Sequence, residues 1–557
     1  MARWWFRSVA IALAVSVAGL LLPAGETRAT AIKPYAESTS PEYTVTALLS
    51  AGDRVRESSD PTKEYQMVGI PDGLGAHANA NGTVTVFMNH EFTSSVKSQP
   101  LVGGVMNRGA FVSKWTVAAD GTVTAGERAY DTVFIEDTAV GPAPQDDNQT
   151  PAFARLCSGY LAGPHNGFDR YVYLAGEESE GAATFSGKGG EAVAIFDNKA
   201  HVLPKLGKFA KENLVVMPYS GEQTVIIGLE DGPSGPDSQL YMYVGTKDRK
   251  AGATALQKNG LVGGKLYVFA SINKARNNEA AFTSGFIVGQ WVEIASPETL
   301  SDEQLEAAAD AAGAFGFVRI EDGAFSKTNG NDFFFVTTGG NKTSGNELGR
   351  LYHLRFNAQG VLDSPVLNVV YNADTIVAAG GDIALSPDNI AVSSEYLMVQ
   401  EDGTAQTRPL MAAKKRDGSI WRFRLNNESG PTPVNLASGS IVAELNPPGR
   451  DSTAITPGIW ETSGIIDTST EFGAGSWLFV VQAHSPTAAP GTGTVEDGQL
   501  LLLKPVAPVV DLAYDPKAPA AFRNTPGLLR ALQWAIDRAF ESILAANRPT
   551  PAGLLGY

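Results

Sequence analysis

Short runs of alternating or continuous apolar residues recur along most of the chain, each closed by Gly, Asp or Asn. They include "TVTVFMNHEF", "RYVYLAGEE", "EAVAIFD", "QTVIIGLEDG", "QLYMYVGT", "GKLYVFAS" and "DFFFVTTGG". Further along come "GRLYHLRFN", "DNIAVSSEYLMVQEDG", "GSIWRFRLN", "GSWLFVVQAHS" and "GQLLLLK". Their period of two and their β-branched and aromatic content are those of strands, and the residues between them are turn formers. A loose phrase, GxLYxF, returns as "GKLYVFA", "GRLYHLRF", "GSIWRFRL" and "GQLLLLK". Repeated groups of short strands predict an all-β fold, a β-propeller with inserted loops and helices. A β-sandwich or tandem β domains are the alternatives.

Two segments carry a helical pattern instead. Residues 296–316, "SPETLSDEQLEAAADAAGAFG", combine cap-type Ser residues, an early acidic cluster and helix formers, and predict an inserted helix. Near the C-terminus, Thr525 and Pro526 offer an N-cap and first helical residue. Leu528, Leu529, Leu532, Ile536, Phe540, Ile543 and Leu544 then fall at helical spacing. This predicts an amphipathic helix docked on the parent domain.

The N-terminus reads as a secretory signal. Arg3 and Arg7 give a positive leader, residues 9–22 form an apolar run too short for a comfortable membrane span, and Ala29-Thr30-Ala31 supplies a cleavage site. The predicted organisation is a signal peptide over 1–31, a propeller over 32–520 and a helical tail over 521–557. The mature chain is expected to be an exported monomer, periplasmic or secreted, without a transmembrane helix.

Composition narrows the partners. The 59 acidic residues outnumber 43 basic ones, for a net charge of −16. That argues against nucleic acid, which needs clustered Lys and Arg, and suits divalent cations. Cys157 is the single cysteine. In an exported chain it has no internal disulfide partner, and is an inert buried thiol, an intermolecular bridge, or a reactive or metal-bound thiolate.

Acids recur at strand ends beside glycines: Glu91, Glu177 and Glu178, Glu230 and Asp231, Glu321 and Asp322, Asp388, Glu401 and Asp402, and Glu461. Taken singly, "EDG" and "PDN" are ordinary turn sequences, and His90 and His484 read as structural histidines. Taken together, a propeller would gather them at one end of its channel. Several carboxylates sharing a poorly solvated site repel one another, and a bound cation removes that conflict. Oxygen ligands suit calcium, and a thiolate among them points to a transition metal.

Read in order, these pieces resemble the PhoX-type alkaline phosphatases, from about residue 85 to about 490. The family's "NHE" is similar to Asn89-His90-Glu91. Its Cys-x-Gly followed by paired Glu is similar to Cys157-Ser158-Gly159 and Glu177-Glu178, and its later acidic pair to Glu230-Asp231. Its Arg-Pro-Glu resembles Arg319-Ile320-Glu321, its "PDN … DG" resembles Asp388-Asn389 and Asp402-Gly403, and its closing segment resembles Glu461 to Gly464 and Gln482 to Ser485. Three positions depart from the pattern. Gly176 stands where the family usually has a second cysteine, Ile320 replaces proline, and "QAHS" replaces "QHPG".

The resemblance implies an exported metal-dependent phosphatase acting on small-molecule phosphate esters, with Fe(III) and Ca2+ as cofactors. It implies Arg319 and Glu321 as catalytic residues. Glu91, Cys157, Glu178, Glu230, Glu321, Asp388, Asp402 and Glu461 are the implied metal ligands. A calcium-dependent esterase, lactonase or phytase-like propeller, and a calcium-stabilised binding propeller, are the alternative functions.

Overall fold

The computed structural model describes residues 30–426, 433–445, 457–484 and 493–506. The chain divides into a compact unit ending at Pro505 and a second beginning at Val506. The expected signal lies almost wholly, and the C-terminal helix entirely, outside the described residues.

Among the described residues, the strands form six blades of four to six strands, arranged as a β-propeller, with blades three and four joined into one nine-stranded sheet by the pairing of Phe286–Ile294 with Val366–Asn372. The innermost strands of blades one to six are Pro71–Ala78, Leu156–Ala162, Lys211–Val216, Ile320–Phe325, Pro387–Val392 and Glu461–Asp467. Each touches the next in this order, and the sixth touches the first, so the ring is closed. Closure comes from the N-terminal side of the chain. Tyr43–Ser50 pairs antiparallel with Asp497–Pro505 and completes blade six, while Ala36–Ser38 extends blade five.

Successive residues of a strand face opposite sides of its sheet, and here both sides are covered by neighbouring blades. The run "FFFV" makes this concrete. Phe333 and Phe335 enter the apolar wedge between blades three and four, and Phe334 and Val336 enter the one between four and five. Six such wedges form the core. Strands buried on both faces therefore read as near-continuous apolar runs. A fully buried side chain of this size is worth roughly 1.5–3 kcal/mol.

The inserted helix lies within its predicted window. Pro297–Thr299 is a 3-10 turn and Asp302–Ala312 an α-helix, with Ser301 as its N-cap and Gly313, in the left-handed region, closing it. Among the described residues no helix is long and apolar enough to cross a membrane.

Candidate functional site

The start of each inner strand repeats one local device. In blade one, Pro71 pairs with His90, but the next pair is Leu74 with Met88, so Asp72 and Gly73 bulge opposite one residue. The same shift follows Leu156, Lys211, Ile320 and Pro387 in blades two to five. A bulge turns its extra residue out of the pleat. The residue it presents is Asp72, Cys157, Glu212, Glu321 or Asp388: four acids and the only thiol. In blade six the shift comes after Ser463 and the equivalent residue is Gly464, so Glu461, at the strand's start, is that blade's acid.

The residue just before each inner strand adds a second repeat. Ile70, Arg155, Arg319 and Ser386 all have positive φ, between 44° and 55°, a conformation that costs a non-glycine residue roughly 1–2 kcal/mol. Their carbonyls accept hydrogen bonds from the amides of Glu91, Glu178, Thr338 and Asp402 respectively, and Ala210 accepts from Asp231 in the same way. Each blade's second strand thus delivers the residue after its last paired position to the same end of the channel. Close approach of the inner strands also fixes Gly73, where a Cβ would lie 2.3 Å from the Gly159 nitrogen.

Strand alternation sorts the paired acids. Glu177 accepts from the amides of Ala154, Phe185 and Glu191, and Glu401 from the Leu385 amide and Arg416. Both tie down backbone, while the following residues, Glu178 and Asp402, face the centre. Glu230 behaves like Glu177 and Glu401. Its carboxylate takes the Gln239 amide at 2.7 Å and faces Glu306 and Glu180. Asp231, one residue on, is the acid that blade three brings to Arg319. The structure therefore places Glu230 away from the other expected ligands, and gathers Glu91, Cys157, Glu178, Glu321, Asp388, Asp402 and Glu461 at one mouth.

Sequence reasoning missed Asp72 and Glu212. Asp72 sits in "IPDG", which reads as a turn, and Glu212 sits in "AKENLVV" without a flanking glycine. The signal that would have found them is their place, second in an inner strand, shared with Cys157, Glu321 and Asp388.

These side chains form three contiguous groups, in each of which the ligand atoms lie within 4.8 Å of one another: Asp72, Glu91 and Cys157; Cys157, Glu178 and Glu212; and Glu212, Glu321 and Asp388. Cys157 and Glu212 each belong to two groups. Burial pushes the carboxyls of Asp72, Glu178, Glu212, Glu321 and Glu461 well above the usual range, and neighbouring acids add to the rise. Asp388 is raised to about 7 by burial, and Glu461 donates a hydrogen bond to it. Burial and the surrounding acids also push the Cys157 thiol up, and it donates to Asp72 at 3.1 Å. Glu91 runs the other way: burial raises it, but Arg155 and Gln482 outweigh that and hold it below its ordinary value.

The donor set fits cations. Glu212 Oε1 accepts from Ser158 Oγ at 2.6 Å, while its fully buried Oε2 has no hydrogen-bond partner. A buried acceptor left this way costs on the order of 1–3 kcal/mol, and it lies between two groups of acids. A cation there would give it a partner and relieve the repulsion among its neighbours. Gly176 fits the same arrangement. A Cβ at this position would lie 2.4 Å from the Lys211 Cβ, so the stem of Lys211 fills the space a second cysteine would need.

Two guanidinium groups flank the acids. Arg319 takes Asp231 through Nε and Nη2 at 3.0 and 3.2 Å, and Glu321 through Nη2 at 3.0 Å. Arg155 spans Glu91 through Nε and Glu178 through Nη2, both at 2.7 Å. His484 Nδ1 donates to the Glu496 carboxylate at 2.8 Å. His90 is buried between the Gly69 carbonyl and Ser113 Oγ, its pKa lowered by burial to about 4, which makes it a structural histidine. An open cavity of about 370 Å³ lies at the other end of the inner strands, bordered by Leu74, Gly159, Asn213, Gly323, Ile390 and Ile465. The clustered acids Asp72, Glu91, Glu178, Glu212, Glu321 and Asp388 do not line it.

Fold and centre together define a six-bladed β-propeller with a buried cluster of acids, one thiol and two arginines at a single mouth. Residues 196–448 match the family model for alkaline phosphatase PhoX, and this match together with the fold supports a PhoX-type alkaline phosphatase, a phosphoric ester hydrolase. Among solved structures it superposes on PhoX of Pseudomonas fluorescens in complex with vanadate, a transition state analogue, with a TM-score of 0.58 and 14% identity, covering 84% of this chain and 96% of that one. The NanB sialidase of Streptococcus pneumoniae matches at a TM-score of 0.38 and 8% identity, covering 82% and 70%. No curated protein matches the chain in sequence.

Proposed function

We propose that this protein hydrolyses small-molecule phosphate esters at the acid mouth of the propeller, using cations held by the three contiguous groups. The observation that carries the reading is the sharing of Cys157 and Glu212 between adjacent groups, the arrangement expected of residues that bridge neighbouring ions. Asp72, Glu91, Cys157, Glu178, Glu212, Glu321 and Asp388 would be the ligands, with Asp402 and Glu461 completing the set through Asp388. By resemblance the ions are ferric iron and calcium. The thiol supports a transition metal, and the oxygens support calcium. Export, to the periplasm or beyond the cell, belongs to the same reading and rests on the leader sequence.

When bound, such ions polarise the phosphoryl oxygens, activate a nucleophile at neutral pH and neutralise the leaving oxygen. The remaining work falls to the protein. Arg319 is held by Asp231 on one edge, and its Nη1 has no partner among the described residues. That leaves a forked, permanently charged donor for an equatorial phosphoryl oxygen, a contact that lysine reproduces poorly. Glu321 lies against both Arg319 and the Glu212–Asp388 group, and so couples the anion-binding edge to the ligand set.

Glu321→Gln tests the assignment. It removes one charge with little change in shape, and is expected to abolish phosphatase activity while the fold and its thermal unfolding persist. Near-normal turnover would remove Glu321 from the centre. Calcium without iron, together with hydrolysis of carboxylate esters or lactones, would favour the esterase alternative.

A further inference from the structure

Arg155 and Arg319 hold the same place in the propeller repeat. Each immediately precedes an inner strand, in blade two and blade four, with φ of 45° and 55°. Each carbonyl accepts from the amide that delivers an acid or Thr338 to the mouth. Each guanidinium bridges two carboxylates through Nε and Nη2 and leaves Nη1 without a partner among the described residues. The two are linked by a short chain of contacts. Arg155 pairs with Glu178, the Glu178 and Asp231 carboxyls are within hydrogen-bond reach, and Asp231 pairs with Arg319. Arg155 is the more open of the two, its side chain 43% exposed against 26% for Arg319.

Two free guanidinium edges therefore straddle blade three at one mouth, the inner one against the Glu321 group and the outer one toward solvent. A single phosphoryl group engaged at Arg319 leaves the outer edge to whatever extends away from it, which is the leaving group. Nothing in the local fold demands arginine at the outer position. The equivalent residues of blades one and five are Ile70 and Ser386, in the same backbone conformation.

We propose that Arg155 is a second anion-binding residue, selecting phosphate esters whose leaving group carries a further anionic group such as a carboxylate or a second phosphate. The proposal rests on the phosphatase reading. It adds no step to the hydrolysis, since Arg155 holds the outer anion and exchanges neither proton nor bond.

The test is a specificity ratio. 3-Phosphoglycerate and glycerol 3-phosphate carry the same phosphoryl group, but only the first has a carboxylate on its leaving group. The holoenzyme is expected to favour 3-phosphoglycerate in kcat/KM by about tenfold or more, the usual scale of a charge-assisted hydrogen bond. In Arg155→Gln the ratio is expected to fall to about one, and in Arg155→Lys to an intermediate value, whatever happens to the absolute rates. If Arg155 only supports Glu91 and Glu178, both substrates slow by the same factor and the ratio is kept, which overturns the proposal. So does a wild-type ratio near one. If wild type turns over neither ester, the phosphatase reading fails, and calorimetric binding of the same two anions decides the inference. Preferential binding of 3-phosphoglycerate that is lost in Arg155→Gln sustains it, and equal or undetectable binding overturns it.

Discussion

Replacing Glu212 with Gln should change stability in opposite directions with and without cations. Glu212 belongs to two of the three groups, its ligand atom within 4.8 Å of those of Glu178, Glu321 and Asp388. At an effective dielectric of 20, two ionised groups at that distance repel by about 3.5 kcal/mol. In the cation-free protein these acids avoid the cost by holding protons, which is why burial and like charge raise Glu212 so far. A raised folded-state pKa destabilises progressively as pH climbs from the unfolded value toward the folded one. Toward pH 5 the acids are closer to their protonated forms, where Gln should be close to isosteric and nearly silent. At pH 8.5 the wild-type chain carries more of the strain than the variant, so Glu212→Gln should raise the cation-free unfolding midpoint. With cations in excess the order reverses, because the variant has lost a charged bridge, and each tenfold loss of affinity removes about 1.4 kcal/mol of stabilisation. Thermal unfolding at both pH values, in chelator and in excess calcium with iron, reads all four conditions. A variant that is less stable than wild type in chelator at pH 8.5, and gains as much as wild type from cations, would refute the reasoning.

Cys157→Ser keeps a small polar group but removes the thiolate, and should lower iron retained through purification by about tenfold or more. Unchanged iron content would make Cys157 an inert buried thiol. Arg319→Lys keeps the charge but loses the two-edged grip on Asp231. It should lower kcat/KM for a phosphate monoester by roughly 10- to 100-fold, and parity with wild type would remove Arg319 from the substrate site. Cation-free protein should lose stability as pH rises from about 4 to about 7, because Asp322 and Asp388 are raised by burial to about 7. The slope is up to about 1.4 kcal/mol per pH unit for each group, and a profile that rises over this range in denaturant titrations would contradict it.

Much of the fold was legible because each blade is buried on both faces. Runs such as "DFFFVTTGG" and "QTVIIGLEDG" carry that burial in their composition. The repeated phrase around "GKLYVFA" and "GRLYHLRF" marks blade interiors. Ring closure was not legible. The pairing of Tyr43–Ser50 with Asp497–Pro505 joins residues far apart in sequence, and no local pattern announces it.

At the centre, most of the strand-end acids gather at one end of the channel, but composition alone could not say which member of a pair faces inward. Strand alternation decides that, and it turned Glu230 toward Gln239 and Asp231 toward Arg319. Asp72 and Glu212 were hidden for a related reason. They are presented by β-bulges, a one-residue shift in pairing that leaves no mark on composition. Once the bulge is seen in one blade, the same position read across the others yields Cys157, Glu321 and Asp388 as well.

Elemental analysis of protein purified from its native source, for iron, calcium and zinc, beside hydrolysis of 4-nitrophenyl phosphate, tests the central claim most directly. The account predicts iron and calcium together, in more than one ion per chain, with activity lost on chelation and restored by the same metals. Calcium alone, with no phosphatase activity in the fully loaded protein, would contradict it and leave Cys157 as a buried thiol.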